Sequence, residues 1–290
     1  MMNIRSTRVL GLSQSKRTKL TDGILQILLL IFGFVYIYPI LLMCINGLKS
    51  PKEMAENVLA LPGKIQWGNL SYVYNDIKYP NLMINTIVVT VIGIIGAVVI
   101  SSIAAYILNR RKNRYTRTVY SILIAPMLIP FHTFMVTLLK VMVDLKLSGS
   151  LWGLGIQYWG FCAPMAVFIY YNFMNTVPKE IDECVRIDGA STLRAFFSVI
   201  FPLLVPVTVT ILVLDIMWIW NDFVLPMIMV NTSVTTRTLT LGAYSYIGQF
   251  VTRWDYALCA MMMAVGPSIL IFILLQKYIV DGVVAGSVKG

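Results

Sequence analysis

Between Lys179 and Arg194 the sequence places seven ionisable groups: Lys179, Glu180, Asp182, Glu183, Arg186, Asp188 and Arg194. The apolar stretches Leu151–Met174 and Val199–Met217 flank them. Charges at this density are stable only in water, so the segment reads as a loop joining two buried stretches. Its apolar residues recur at helical spacing, with Ile181 and Val185 four apart and Cys184 and Ile187 three apart. Gly189 follows where a short helix needs a left-handed cap. A short amphipathic helix turned sharply into a second one does no bond chemistry. It is a shape for docking a partner.

Other chemistry-bearing residues are few. The single His132 lies in an apolar stretch that reads as helix, without an evident catalytic partner, and is expected to pack or make a local hydrogen bond. Cys44, Cys162, Cys184 and Cys259 show no paired spacing, which points to neither a disulfide framework nor a metal site. No G-x-x-x-x-G-K-[ST] phosphate loop occurs, so the chain is not expected to hydrolyse nucleotide. Within the apolar stretches, Asp215 and Asp222 stand near Trp218 and Asn221. A carboxylate at membrane depth must face the bundle interior or water. Asp215 could line a path, pair with a residue of a partner subunit, or be protonated. Asp222 lies near the outer end, where a solvated or hydrogen-bonded boundary residue is expected. These four residues, Asp215, Trp218, Asn221 and Asp222, are the candidate wall of a path through the membrane. Asn85, Ser101 and Ser102 read as ordinary helix–helix contacts.

The elements that position these residues are membrane helices. Hydrophobic residues make up 58% of the 290, charged residues 12%, and mean hydropathy is +0.78. A soluble domain carries about 25% charge, so the chain is an integral membrane protein. Six apolar stretches are long enough to span, near 24–46, 83–108, 119–140, 151–175, 199–222 and 257–279. The formal charge of +10 is explained by membrane orientation rather than nucleic acid. Five basic residues precede the first span and five fall within 110–117, and placing both groups inside gives 15 basic residues inside against 8 outside. Six spans with both termini cytoplasmic are therefore predicted. The first apolar run is too long for a signal peptide and lacks a small-x-small cleavage site, so it reads as a retained span. Pro126 and Pro130 in the third span, and Pro202 and Pro206 in the fifth, interrupt the backbone ladder. Trp67, Tyr72, Tyr74 and Tyr79 in the outer segment 47–81 read as interfacial anchors.

Several stretches together resemble the membrane permease subunits of binding-protein-dependent ABC importers of the carbohydrate-uptake group, particularly the maltose-type second permease. They are Glu183-Cys184-Val185-Arg186-Ile187-Asp188-Gly189-Ala190-Ser191 continuing to Pro202, Ala104-Ala105-Tyr106, Phe173 with Pro178-Lys179-Glu180, Trp220-Asn221-Asp222-Phe223, Gln276-Lys277-Tyr278 and the tail from Gly282 to Gly290. The resemblance covers residues 24–290. It departs where the family's Glu-Ala-Ala has Cys184 and Val185 in place of both alanines, which changes the volume of the docking helix. It implies an all-α polytopic fold of the type I importer class. In that scheme residues 1–23 form a cytoplasmic arm, 24–81 the first span and outer loop, 82–279 the permease core, and 280–290 a cytoplasmic tail. Residues 178–199 form the coupling helix, with Glu183, Cys184, Val185, Arg186, Asp188, Gly189 and Ala190 meeting the ATPase. The implied partners are a second homologous permease in a heterodimer, two ATPase subunits or domains that use ATP and Mg, and an extracytoplasmic sugar-binding protein, in the cytoplasmic membrane of a bacterium or archaeon. The chain itself is expected to be no enzyme and to bind no cofactor. An importer for glycerol phosphate, amino acids or metal is the alternative within this architecture. A stand-alone secondary transporter or an intramembrane hydrolase would need coupling-ion sites or a catalytic pair that the sequence does not show.

Overall fold

The computed structural model describes residues 9–187, 189–248 and 252–287; side chains are described for these except 9–21, Arg186 and 278–287. It is mostly helical, with no β-strand among the described residues and one isolated antiparallel bridge, Ile247 to Thr252. The helices are α1 (Val9–Gly47), α2 (Pro51–Glu56), α3 (Trp67–Asp76), α4 (Tyr79–Arg110), α5 (Arg114–Ile124), α6 (Met135–Asp144), α7 (Leu151–Met174), α8 (Glu180–Ile187), α9 (Thr192–Ala195), α10 (Phe201–Leu203), α11 (Val205–Asn221), α12 (Val224–Val230), α13 (Leu239–Ala243) and α14 (Trp254–Ser287).

Among the described residues, three single helices are long and apolar enough to cross a membrane: Asp22–Gly47 of α1, α4, and Trp254–Lys277 of α14. A fourth crossing is available if Thr192–Leu203 and α11 count as one span, although they bend by 77°. The bend falls between Pro202 and Pro206, each in the first turn of its helix, where a missing N–H costs nothing but the preceding ladder ends. Phe196–Ile200 widens there into a π-type turn.

The stretch expected as a third continuous span is instead broken. α5 ends at Ile124, a tight turn covers Ala125–Leu128, Ile129 and Pro130 are extended, and α6 begins only at Met135. Pro126 and Pro130 lack donors, and Ile129 before Pro130 is pushed out of helical geometry. His132 therefore lies in an exposed turn, its ring edge-on to Phe131, rather than in an apolar helix. α14 extends past the expected end at 279; residues 288–290 of the expected tail, including Gly290, lie outside the described residues, as do Arg5 and Arg8.

The body is built on α4 and α7, which run side by side in the same direction and approach closely because glycines of each leave room for large side chains of the other, Gly93 and Gly96 for Tyr158 and Trp159 and Gly155 for Ile92. A methyl group on Gly96 would sit 2.1 Å from the Trp159 indole, whose Nε1 donates to the Ile92 carbonyl at 2.7 Å. α11 runs antiparallel beside them, tied by Tyr170 to Thr208 at 2.9 Å and Tyr158 to Asp222 at 2.9 Å. α14 packs on α11 and α1; Trp220 donates to the Ala264 carbonyl and Tyr79 to the Met263 carbonyl. Tyr79 is thus a tether to α14 as well as a boundary aromatic, and Tyr72 stacks on Tyr256 at 4.4 Å.

The loop after α1 is organised by Lys49, 1% exposed, whose ammonium donates to Asn46 Oδ1 and the carbonyls of Asn57 and Val58. Those three acceptors replace its water shell. Ser50 and Glu53 close a capping box on α2, and the Ser50 backbone N–H holds the Glu53 carboxyl below the usual carboxylate range.

Candidate functional site

α8 has two faces. Ile181, Asp182 and Val185 turn inward: Ile181 packs on the apolar cluster of Tyr106, Met174 and Phe196, and Asp182 is 7% exposed. Glu180, Glu183, Cys184 and Ile187 turn outward, Ile187 with 85% of its surface open. The two apolar pairs seen in the sequence thus serve opposite faces, one for the core and one left outside. Leu193 and Phe197, just beyond, are also exposed. A helix of eight residues is marginal alone and needs its ends fixed.

Its C-terminal end is fixed by Gly189, at φ +78°, with the Ala190 N–H donating back to the Val185 carbonyl at 3.3 Å. That six-to-one bond over a left-handed glycine is the Schellman arrangement. Ser191 then caps α9 through the Arg194 N–H. Of the residues expected to meet a partner, Glu183, Cys184 and Gly189 are exposed, and Val185 and Ala190 are half-buried. Arg186 is on α8, its side chain outside the described residues, and Asp188 lies outside them altogether.

The inward face carries a cluster that the sequence reading passed over. Arg110, last residue of α4, places Nε 2.8 Å from Asp182 Oδ2, and the Tyr106 hydroxyl donates to Asp182 Oδ1 at 2.6 Å. Ala104-Ala105-Tyr106 had marked the family and Arg110 had counted only as an orientation charge. Neither signal shows a pairing 72 positions distant.

The second site is a cavity of about 580 Å³ among α6, α7, α11 and the broken segment between α5 and α6. Phe131, Phe134, Phe161, Met165 and Trp218 form apolar walls around it, and Gln157 lies in the wall from α7. Both polar atoms of the Gln157 amide are buried without a partner, and the residue is 7% exposed. A smaller chamber of about 180 Å³ shares Phe131, Phe161 and Trp218 and reaches Asp222.

The four residues expected to wall a path separate here. Trp218 lines both chambers and Asp222 the smaller one. Asp222 is knitted into the fold rather than solvated: its carboxylate accepts from Tyr158 and from the Val224 N–H, and its carbonyl accepts from Thr240. Asp215 is buried against the Cys162 thiol and is not in the wall of either chamber. Asn221 is exposed and donates to the Met217 carbonyl of its own helix. Gln157 was missed because a lone glutamine in an apolar run carries no sequence signal.

Residues 97–284 match the model of the family described as "Binding-protein-dependent transport system inner membrane component". The chain is 33% identical to the probable starch degradation products transport system permease protein AmyC of Thermoanaerobacterium thermosulfurigenes, over 92% of this chain and 96% of the relative. It is 31% identical to the melibiose/raffinose/stachyose import permease protein MelC of Bacillus subtilis, over 96% of this chain and 100% of the relative. Among solved structures it is similar to a chain from a bacterial ABC transporter involved in the import of the acidic polysaccharide alginate. There the TM-score is 0.71 and the identity 21%, over 96% of this chain and 99% of that one. The fold is that of an ABC importer permease. The chain belongs to the family of inner membrane components of binding-protein-dependent transport systems.

Proposed function

We propose that this chain is one permease half of an ATP-driven carbohydrate importer, forming the translocation path with a second, homologous permease. Two ATPase domains using ATP and Mg dock on its cytoplasmic face, and a sugar-binding protein docks outside. The carbohydrate class follows from relatives named as starch-product, melibiose/raffinose/stachyose and multiple-sugar permeases. Six crossings are counted by adding α7 and the α5–α6 pair to the three long helices and the bent pair. At 1.5 Å per residue the 24 residues of α7 reach about 36 Å, enough for a bilayer core of about 30 Å. The excess of Lys and Arg at the α8 end puts that end and both termini in the cytoplasm.

The observation that carries this reading is the two-faced α8. Its inner face is built into the core while Glu183, Cys184 and Ile187 are presented outward, the shape of a lever whose outer face sits in an ATPase groove. In the pore, Trp218 offers an indole face to the apolar side of a sugar ring. The lining of the larger cavity includes no Lys or Arg, which argues for a neutral sugar over glycerol phosphate. Asp215 lies on the same α7-facing side of α11 as Trp218, buried beside Cys162.

The test is the Glu183→Lys, Ile187→Asp double variant in the full complex. Membrane insertion and pairing with the second permease should persist, while ATPase retention and sugar-stimulated hydrolysis are lost, because a charge reversed at a desolvated contact costs far more than one at a rim. Normal retention and normal stimulation would reduce α8 to an ordinary solvated loop.

A further inference from the structure

The cluster behind α8 is more than a tether. Asp182 Oδ1 accepts from the Tyr106 hydroxyl, and Oδ2 lies 2.8 Å from Arg110 Nε as an ion pair rather than an aligned hydrogen bond. The remaining guanidinium nitrogens of Arg110 donate to the Val177 carbonyl at 3.1 Å, in the turn that joins α7 to α8. Next to it on α4, the Asn109 amide donates to the Tyr171 carbonyl and to Asn175 Oδ1, gripping the end of α7. The Tyr106 ring also packs on Phe196 at 5.2 Å, where the bent fifth element begins. The last turn of α4 therefore touches α7, the connecting turn, α8 and the start of the next span.

The covalent route from α8 into the membrane runs through the short turn 175–179, which Arg110 also holds at the Val177 carbonyl. The Asp182 cluster bypasses it. Tyr106 and Asp182 are buried and the Arg110 side chain is nine-tenths buried, so little water is present to replace a partner that shifts. A buried pair of this kind holds one geometry, because separation leaves an uncompensated charge.

We propose that Arg110 and Tyr106 clamp Asp182 so that α4 takes its displacement directly from α8, making these three residues positioning groups for the coupling of ATP hydrolysis to transport. The proposal rests on α8 being the ATPase-docking helix. Docking uses the outer face, through Glu183 and Ile187; transmission uses the inner face, through Asp182. The two are separable.

The experiment uses the complete complex in vesicles, with both ATPase domains, the second permease and loaded binding protein. Asp182→Asn keeps the volume and the Tyr106 hydrogen bond but removes the charge facing Arg110. Tyr106→Phe removes one hydroxyl and leaves the apolar cluster intact. Two quantities are read: the ATPase retained on purification and the ATP hydrolysed per sugar delivered. The ATPase should be retained, and ATP per sugar should rise at least about five-fold in Asp182→Asn, the low end of measured coupling energies. A smaller rise is expected in Tyr106→Phe, and the double variant should be no worse than Asp182→Asn alone, since the residues act as one unit. A merely structural role would lower hydrolysis and transport together and leave their ratio unchanged, and that result overturns the proposal. Should Asp182→Asn fail to assemble, the ratio in Tyr106→Phe decides. Failure of the docking reading is recognised separately, by ATPase retention in Glu183→Lys, Ile187→Asp.

Discussion

Gly189 permits a prediction whose size can be worked from geometry. Its φ of +78° is one that side chains with a β-carbon rarely adopt, and a β-carbon built there meets nothing within 4 Å. Crowding by this chain's own residues is thus absent, and within the chain the penalty of a substitution is backbone strain. For alanine or valine that strain is about 1–2 kcal/mol, which depletes the turned conformation about 5- to 30-fold. Asparagine visits the left-handed region more readily and is penalised less. α8 has eight residues and little helical stability of its own, so the loss falls on the presentation of Glu183, Cys184 and Ile187. ATP hydrolysis by the reconstituted complex, with and without loaded binding protein, reads the effect. Stimulation should fall in the order Gly, Asn, Ala, Val. Equal stimulation in the wild type and Gly189→Val, or Gly189→Asn as damaging as Gly189→Val, would refute the reasoning, because neither follows from a φ requirement.

Three further outcomes are expected. Gly96→Ala would drive its methyl into the Trp159 indole and break the Trp159 bond to the Ile92 carbonyl. It should destabilise α4–α7 packing by about 2–4 kcal/mol, seen as a lowered thermal midpoint of the purified complex, and an unchanged midpoint would contradict the close approach. Trp218→Ala should raise the sugar concentration needed for half-maximal uptake roughly 2- to 10-fold with protein levels unchanged; unaltered uptake removes the cavity from the path. In a cysteine-free background, a cysteine at the exposed Lys112 should react only with membrane-permeant reagents and one at the exposed Lys64 with impermeant ones; an outward Lys112 breaks the orientation.

The α8 turn was legible because its signals are local: charge density, apolar spacing and a glycine at a cap. The two broken segments were half legible. Pro126, Pro130, Pro202 and Pro206 marked where backbone donors are missing, but whether a proline kinks a span or splits it depends on what neighbouring helices leave room for. Hence the stretch 119–140 separates into two helices and His132 comes to rest in a turn. The Arg110–Asp182–Tyr106 cluster and the unpartnered Gln157 amide were not legible. Each depends on which side of a uniformly apolar helix faces inward, and α4 and α7 have no polar stripe to show it. Asp215, three residues from Trp218 on α11, is buried beside Cys162 and does not line the cavity.

Uptake into vesicles tests the central claim most directly. The chain is reconstituted with its second permease, the ATPase domains and a loaded binding protein, and labelled oligosaccharide is followed with ATP present, with ATP absent, and with the ATPase omitted under an imposed ion gradient. Accumulation only in the first condition is the predicted result. Accumulation in the last, without any ATPase, would make the chain a secondary carrier and contradict the account.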